Sequence, residues 1–334
     1  MLGERCHHRS GPVAVGARTT AGVRQRFKGA HVSTSPARTI SGRTAVITGA
    51  ASGIGRSLAQ RLSRHGCAVA LADIDGQGLR QTESTLCGPA LSVVLDVADP
   101  AAVAHFAEQV RDWAPTRVGA VFNNAGVAVS STVLDAVAED LNWLWGINFH
   151  GVVNGTRAFL PILVEQDEGT IVNTSSVFGL LGMPSQSAYC AAKFAVRGFT
   201  DALRQELRGT GVMAITVHPG GVNTNIARNG RIRRDPEGLG RTKDQLVAEF
   251  AARAITQPDK AAEIIHRGVE AGKARILVGP DAYLFDALAR LAPSHYYDVL
   301  DRLQVLIRKR VGARGRTSIP ALPPTAATEE EWLP

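Results

Sequence analysis

The chain has little cysteine, few aromatic side chains and no long apolar run. Its 4 cysteines among 334 residues are scattered without a CxxC pair, which lacks the spacing of a zinc site and predicts buried, reduced thiols. Aromatic residues make up 5% of the chain, so aliphatic side chains must build most of the core. No apolar run approaches the roughly 18 residues that a membrane span needs. These scarcities argue against a membrane protein and favour a cytoplasmic location.

The net charge of +7 is concentrated at one end of the chain. Residues 1–40 contain seven Lys or Arg and one acid, a balance of +6, which leaves +1 for everything after residue 40. A nearly neutral remainder argues against nucleic acid as a partner. We predict a disordered basic extension over residues 1–40. An Arg-rich, acid-poor start also resembles an organelle transit peptide, so import into an organelle stays open.

From residue 44 onward, short apolar runs alternate with longer helical stretches. This alternation predicts a parallel sheet covered by helices on both faces. The predicted fold class is α/β: a doubly wound, seven-stranded parallel sheet, or Rossmann fold. The predicted strands are Thr44–Thr48, Cys67–Asp73, Ala90–Leu95, Val118–Phe122, Thr170–Ser175, Val212–Val217 and Arg275–Val278. The predicted helices include Ile54–His65, Pro100–Trp113, Val133–Leu163 and Ala188–Thr210.

The pattern places a Rossmann-type domain over residues 41–280, a helical extension over 281–312 and a tail over 313–334. Helices are predicted over Asp281–Leu291, docked on the core, and over Tyr297–Arg310. Residues 221–258 interrupt the alternation and are interpreted as an insertion that folds over a ligand as a lid. Four arginines of this insertion are expected to face solvent, with an acidic substrate as the alternative: Arg228, Arg231, Arg233 and Arg234.

A glycine-rich turn, Thr48–Gly55, follows the first predicted strand and leads directly into a helix. Glycine permits positive φ and lets the backbone approach an anion closely. The helix N-terminus then offers free N–H groups and the positive end of a dipole. At this position in an alternating α/β pattern, the turn predicts a dinucleotide-binding site.

The second predicted strand ends at Asp73, 18 residues beyond Gly55. An acid at this place can accept hydrogen bonds from the hydroxyls of an adenosine ribose, whereas a 2′-phosphate would meet a like charge. The sequence therefore favours NAD over NADP as the cofactor. Arg56, just after the turn, is the observation against this choice, because its guanidinium could pair with a phosphate.

Three side chains predict acid–base chemistry near the carboxyl end of the fifth strand. Tyr189 and Lys193 are four residues apart, so they share one face of a predicted helix. A nearby ammonium stabilises a phenolate and lowers the tyrosine pKa. Ser176 lies 13 residues before the tyrosine and can hydrogen-bond a substrate oxygen. Ser175 is the adjacent alternative, and the alternation of strand faces favours Ser176.

These motifs together resemble the short-chain dehydrogenase/reductase family, in its compact single-domain branch. The resemblance covers residues 41–280, and its parts occur in the order and spacing of the family. They are Thr48–Gly55, Asp73, Asp96-Val97, Asn123-Asn124-Ala125-Gly126, Asn148, Ser176, Tyr189-Cys190-Ala191-Ala192-Lys193 and Pro219-Gly220.

The resemblance implies a role for each of these residues. Tyr189 is the acid–base group, Lys193 lowers its pKa and binds the nicotinamide ribose, and Ser176 orients the reacting oxygen. Asn148 holds a water that links Lys193 to solvent. The other implied cofactor contacts are Gly49, Ser52, Gly53, Ile54, Gly55 and Asp73, then Asp96 and Val97 at the adenine, then Asn124, Ala125 and Gly126, and finally Pro219 and Gly220 with Val222 and Thr224 at the carboxamide.

We therefore expect an NAD(P)-dependent oxidoreductase that interconverts a secondary alcohol and a ketone. The apolar run Leu180–Met183 between Ser176 and Tyr189 suggests a greasy pocket wall and a steroid- or retinoid-like substrate. A 3-oxoacyl-carrier-protein reductase is the alternative, and a non-catalytic dinucleotide-binding protein is the minor one. The family implies a homodimer or homotetramer built on helices near Asp140–Leu163 and Tyr189–Thr210.

Overall fold

Seven parallel strands form the central sheet of the computed structural model, which describes residues 40–233 and 240–300. The predicted doubly wound α/β fold is confirmed, and each predicted strand agrees with the structure to within two residues at either end. In sheet order the strands are β3 (Ala90–Val94), β2 (Ala68–Asp73), β1 (Thr44–Thr48), β4 (Val118–Asn123), β6 (Gly169–Thr174), β7 (Val212–Pro219) and β9 (Arg275–Val278).

Ten α-helices accompany the sheet within the described ranges. They are α1 (Gly53–Arg64), α2 (Gly76–Glu83), α3 (Pro100–Trp113), α4 (Ala138–Trp145), α5 (Gly151–Gln166), α6 (Ser187–Glu206), α7 (Ile226–Asn229), α8 (Lys243–Arg253), α9 (Pro258–Glu270) and α10 (Pro280–Leu291). Two short strands, β5 (Val129–Ser130) and β8 (Arg231–Ile232), pair in parallel as a separate small sheet.

The two faces of the sheet carry two apolar clusters, because successive side chains of a strand point to opposite faces. Ile47 of β1 belongs to the cluster that includes Leu58 of α1. Its neighbour Val46 belongs to the other cluster, with Phe106 of α3 and Phe159 of α5. All five residues of β1 are buried, as expected for a central strand covered on both sides.

The order of the strands reverses at β1, which lies between β2 and β4. The connections that leave β1 and β4 therefore run to opposite sides, and a crevice opens beyond the carboxyl ends of these strands. Ligands of open α/β sheets bind in such a crevice. The glycine turn follows β1, and Asn124 follows β4, so the topology brings both to this edge.

The long helix predicted over Val133–Leu163 is present as a continuous helical run over residues 138–166, which contains a π-helical turn. The structure has α4, then a π-helical turn over Gly146–His150, then α5. The extra residue of a π turn re-aims the side chains that follow it. Asn148 lies in this turn, and its amide bonds the backbone of Val127. The prediction also missed α2, β5 and β8, which are too short to show clear periodicity.

The C-terminal extension differs from the prediction of a docked core helix. In α10 only Ala282 is buried, whereas Tyr283, Leu284 and Leu291 are exposed. Residues 296–300 are helical, and the rest of the helix predicted over Tyr297–Arg310 lies outside the described residues. The predicted basic extension, apart from its last residue, and the tail over 313–334 also lie outside them.

Two further findings concern the cysteines and the membrane. Cys67 and Cys190 are buried as predicted, but Cys87 is exposed because it lies in the loop between α2 and β3. No helix within residues 40–233 and 240–300 combines the length and the apolar character that a bilayer-spanning segment needs.

Candidate active site

The glycine turn leaves no room for side chains at the positions where the sequence has glycine. Gly49 and Gly53 have φ values of +68° and +53°, which glycine adopts at little cost. A Cβ on Gly55 would lie 2.0 Å from the carbonyl oxygen of Gly49. The turn is therefore folded back on itself, and it forms a cradle that a methyl group would fill.

The N-terminus of α1 is open toward this cradle. Ser52 has an extended backbone, and its side chain makes no capping hydrogen bond to α1 among the described residues. No acidic residue lies in the first turn of α1. Ile54, by contrast, packs against the core. The uncapped N–H groups and the helix dipole suit a phosphate group.

Asp73 lies at the carboxyl end of β2, where its carboxylate meets the glycine turn. One of its oxygens accepts a hydrogen bond from the N–H of Ala51 at 2.9 Å, and the other accepts one from Asp75 at 3.0 Å. Each carboxylate oxygen has a second lone pair that remains available for a ligand. The structure thus brings the predicted ribose-binding acid next to the predicted phosphate cradle.

Arg56 is occupied within the protein. Its guanidinium donates to the carbonyl of Ala51, to the Thr82 hydroxyl at 3.1 Å and to the Gln81 side chain at 3.3 Å. These bonds come from Nε and Nη2 of the guanidinium and hold the glycine turn against α2. They weaken the case for Arg56 as the partner of a 2′-phosphate.

The turn after β4 is fixed to β1 by the Thr48 side chain. The Thr48 hydroxyl accepts hydrogen bonds from the N–H groups of Asn124, at 3.0 Å, and Ala125, at 3.1 Å. The amide of Asn124 in turn donates to the Thr48 carbonyl at 3.1 Å. A Cβ on Gly49 would lie 2.8 Å from the Cα of Ala125. The two predicted cofactor loops therefore touch each other.

Asp96 and Val97, the predicted adenine contacts, lie just beyond β3. Asp96 is exposed, and its carboxylate accepts a hydrogen bond from the N–H of Ala98 at 2.9 Å. Val97 is buried and packs closely against Gly151 at the start of α5. Both residues lie on the edge of the sheet that carries the glycine turn.

Gly126, Asn148 and Lys193 converge on one place. A Cβ on Gly126 would lie 3.2 Å from Asn148 Oδ1 and 3.5 Å from Lys193 Nζ. The Asn148 amide is fully buried and exchanges two hydrogen bonds of 2.8 Å with the Val127 backbone. These bonds hold the loop after β4 close to the side chain of Lys193. Whether Asn148 also holds a water stays a prediction.

The structure separates the roles of the two adjacent serines. The Ser175 hydroxyl is buried and donates to the Lys193 carbonyl at 2.7 Å, so it is turned into the protein. The Ser176 side chain accepts a hydrogen bond from the Phe178 N–H at 3.1 Å, and it lies close enough to the Tyr189 hydroxyl to lower the pKa of that group. The preferred serine of the sequence prediction is the one that meets the tyrosine.

The electrostatics of Tyr189 differ from the prediction. Burial raises the pKa of Tyr189 to about 12, against the smaller lowering effect of the Ser176 hydrogen bond. Burial also lowers the pKa of Lys193 to about 8. The Lys193 ammonium lies 5.7 Å from the centre of the tyrosine ring and donates to the Thr174 carbonyl at 3.0 Å. The effect of desolvation on the tyrosine pKa therefore outweighs that of the nearby ammonium, because burial penalises the charged forms of both side chains.

The segment after β7 covers the glycine turn. A Cβ on Gly53 would lie 3.0 Å from the methyl carbon of Thr224. Pro219 ends the strand, and Asp281 of α10 fills the space beside Gly220. The Val222 side chain is buried in the core, so only its backbone can reach a ligand.

In the predicted apolar pocket wall, Leu180 and Leu181 are buried and Met183 is half-buried, and their contact with a substrate stays a prediction. Arg231 and Arg233 both pair with Asp140, a carboxylate that is only 1% exposed. They connect the insertion to α4 through this carboxylate. Of the four arginines, Arg228 and Arg233 are exposed as predicted, Arg231 is half-buried, and Arg234 lies outside the described residues.

The family model described as short chain dehydrogenase matches residues 43–235. SadH of Mycobacterium tuberculosis is 45% identical over 262 residues, which cover 76% of this chain and 92% of SadH. Levodione reductase of Leifsonia aquatica is 29% identical over 237 residues, covering 69% of this chain and 88% of that enzyme.

A solved structure gives the same result. The short-chain dehydrogenase/reductase of Burkholderia phymatum, crystallised with NAD, has a TM-score of 0.70 and 31% identity, and the match covers 75% of this chain and 94% of that one. This chain belongs to the short-chain dehydrogenase/reductase family. It is therefore an oxidoreductase with a nucleotide-binding Rossmann fold, and the predicted family is confirmed.

Sequence reasoning missed several residues that shape the site of this dehydrogenase/reductase. Thr48 ties the two cofactor loops, and Thr174 accepts the lysine hydrogen bond through its carbonyl. Tyr296 of the C-terminal extension both donates to the Gly182 carbonyl and accepts from the Gly182 N–H, each at 3.0 Å. A tyrosine 114 residues away gives no local signal for such a contact.

We predict that Gly55→Ala abolishes cofactor binding. The new methyl group would lie 2.0 Å from the Gly49 carbonyl oxygen, which cannot move without opening the cradle. Fluorescence titration with NADH measures this directly, and we expect at least a ~100-fold loss of affinity, or about 2.7 kcal/mol. Gly198→Ala is the matched control, because a Cβ there meets open space. Equal affinity of both variants would contradict the role of the turn.

Proposed function

We propose that this protein interconverts a secondary alcohol and a ketone with NAD, and that Tyr189 is its acid–base group. The observation that carries the proposal is the position of Tyr189, which lies close to Ser176 and has the buried Lys193 ammonium 5.7 Å from the centre of its ring. The glycine cradle lies at the same edge of the sheet. The comparisons support NAD as the cofactor, and the nicotinamide would supply the hydride acceptor or donor.

The side chains divide the proton chemistry among them. In the reduction of a ketone, the Tyr189 hydroxyl donates its proton to the developing alkoxide, and in oxidation its phenolate accepts one. Ser176 holds the substrate oxygen against the tyrosine. Lys193 supplies positive charge close to the ring, which opposes the cost of a buried phenolate. A raised tyrosine pKa suits proton donation, because the group stays protonated at neutral pH.

The aromatic residues support a lipophilic substrate. The chain contains few of them, yet four pack against one cluster that includes Tyr189. Phe178 makes an edge-to-face contact with the tyrosine ring at 6.2 Å. An apolar rim around a small set of polar groups is the usual form of a site for a hydrophobic ligand. The four aromatic residues are Trp143, Trp145, Phe149 and Phe178.

The protein is also proposed to act in the cytoplasm as a homodimer or homotetramer that uses α5 and α6. Val164 on α5 and Phe194 on α6 are 47% and 41% exposed, which leaves apolar surface on both helices. A buried interface would cover such surface.

We predict that Tyr189→Phe lowers turnover by at least ~10²-fold, the lower end for lost acid–base catalysis. NADH affinity should stay unchanged, because the ring and its packing remain. Single-turnover measurements with a panel of secondary alcohols and ketones, from polar to steroid-like, give the rates. Tyr283→Phe removes the same atom from an exposed tyrosine and should have no effect. A near-normal rate in Tyr189→Phe would remove this residue from the mechanism.

We predict that the wild-type protein binds NADH more tightly than NADPH, by about 10-fold or more, because a 2′-phosphate would meet the carboxylate of Asp73. Asp73→Ser should narrow or reverse this preference. Parallel fluorescence titrations with both cofactors measure it. A strong preference of the wild type for NADPH would overturn the cofactor proposal and favour the 3-oxoacyl-carrier-protein reductase alternative.

For the assembly, we predict a mass of two or four chains of 35.4 kDa in light scattering coupled to size exclusion. Val164→Glu should reduce this mass, because it places a charge on the proposed interface. Leu291→Glu adds the same charge to the exposed end of α10 and should leave the mass unchanged. A monomeric wild type would contradict the proposal.

A further inference from the structure

A histidine that no motif singled out lies directly behind the active-site serine. His218 is the next-to-last residue of β7, and its side chain is completely buried. Its Nδ1 lies 3.0 Å from the carbonyl oxygen of Ser176. The Nε2 atom has no hydrogen-bond partner among residues 40–233 and 240–300. The single polar contact of the ring is therefore with the backbone of the serine that meets Tyr189.

The β6–β7 ladder ends just before this point. The N–H of Ser175 donates to the Val217 carbonyl at 2.8 Å, and in a parallel ladder the next bond would run from the N–H of residue 219 to the Ser175 carbonyl. Residue 219 is proline, which has no N–H. The backbone of β7 therefore cannot continue the ladder past Ser175, and the Ser176 carbonyl that follows is met by the imidazole of His218.

We infer that His218 is a positioning residue, which holds the Ser176 backbone through an Nδ1–H···O=C hydrogen bond and thereby aims the serine hydroxyl at Tyr189 and at the substrate oxygen. The inference rests on the proposed function, because it assigns a task to a residue of the same site. The Ser176 hydroxyl is held from the other side by the Phe178 N–H. The histidine thus holds the carbonyl of the serine, and this N–H holds its hydroxyl.

The protonation state of the ring fits this task. A carbonyl oxygen can only accept, so Nδ1 must carry the proton and Nε2 must be bare. Burial lowers the pKa of His218 to about 4. The charged groups that act on it are Arg275, Arg197 and Asp286, two positive and one negative, so their balance also disfavours an imidazolium. His218 therefore stays neutral at neutral pH.

The tautomer of His218 is the first test, and it needs no turnover. In protein labelled with ¹⁵N-histidine, nitrogen chemical shifts separate a protonated ring nitrogen from a bare one. We expect His218 in the Nδ1–H form from pH 6 to pH 8. An Nε2–H form would overturn the inference, because Nδ1 could then not donate to the carbonyl.

The second test compares two substitutions at one site. His218→Leu removes the donor, and we expect kcat to fall about 10-fold, the effect of one lost hydrogen bond. His218→Asn places an N–H donor at the same δ position, and it should restore kcat to near wild type.

Controls separate positioning from folding. NADH affinity should stay within about twofold in both variants, a change of less than 0.5 kcal/mol. His266→Leu removes an equally buried histidine from α9 and should leave kcat and the pH profile unchanged. The inference fails if His218→Leu behaves like the wild type, or if His218→Asn is as impaired as His218→Leu.

The outcomes also distinguish this inference from the proposed function. A wild type that turns over no substrate of the panel would refute the proposed function, and the tautomer measurement would then decide the His218 contact by itself. If His218→Leu does not fold, the tautomer of the wild type and the activity of His218→Asn still test the positioning role of His218.

Discussion

Two hydrogen bonds fix α6 to the carboxyl end of β6, and the whole candidate site depends on them. The Ser175 hydroxyl donates to the Lys193 carbonyl, and the Lys193 ammonium donates to the Thr174 carbonyl. Together they set the register of the helix against the strand. Because Tyr189 lies one turn before Lys193, this register brings its hydroxyl to Ser176. A shift of one residue would rotate the tyrosine by about 100° away from the serine.

Burial gives this arrangement its chemical character. Tyr189 and Lys193 are both enclosed, and desolvation moves their pKa values in opposite directions, to about 12 and about 8. The order of the two values is thereby the reverse of that in water, where lysine and tyrosine titrate near 10.4 and 10. A lysine that loses its proton this readily can exchange protons near neutral pH. The low dielectric that perturbs these groups also strengthens each hydrogen bond around them.

The insertion and the C-terminal extension are tied to elements around the candidate site. Asp140, although buried, is paired with Arg231 and Arg233, which connects α4 to the strand β8 of the insertion. Only the carboxylate of this cluster is buried, because the two arginine side chains are 35% and 45% exposed. Tyr296 holds the loop between Ser176 and Tyr189 through both polar groups of Gly182. Contacts between distant segments therefore hold these loops in place.

The sequence by itself determined the seven strands, their parallel arrangement, the glycine turn and the identity of the family, because each of these depends on local patterns with a fixed period or spacing. The Tyr189–Lys193 pair and Ser176 followed from the same spacing. Only the tertiary structure decided that the Ser175 hydroxyl turns inward, that Arg231 and Arg233 pair with Asp140, and that the histidine beside Pro219 reaches the serine. These contacts join residues far apart in the chain, and their pairing depends on strand order and burial, which leave no periodic trace in the sequence.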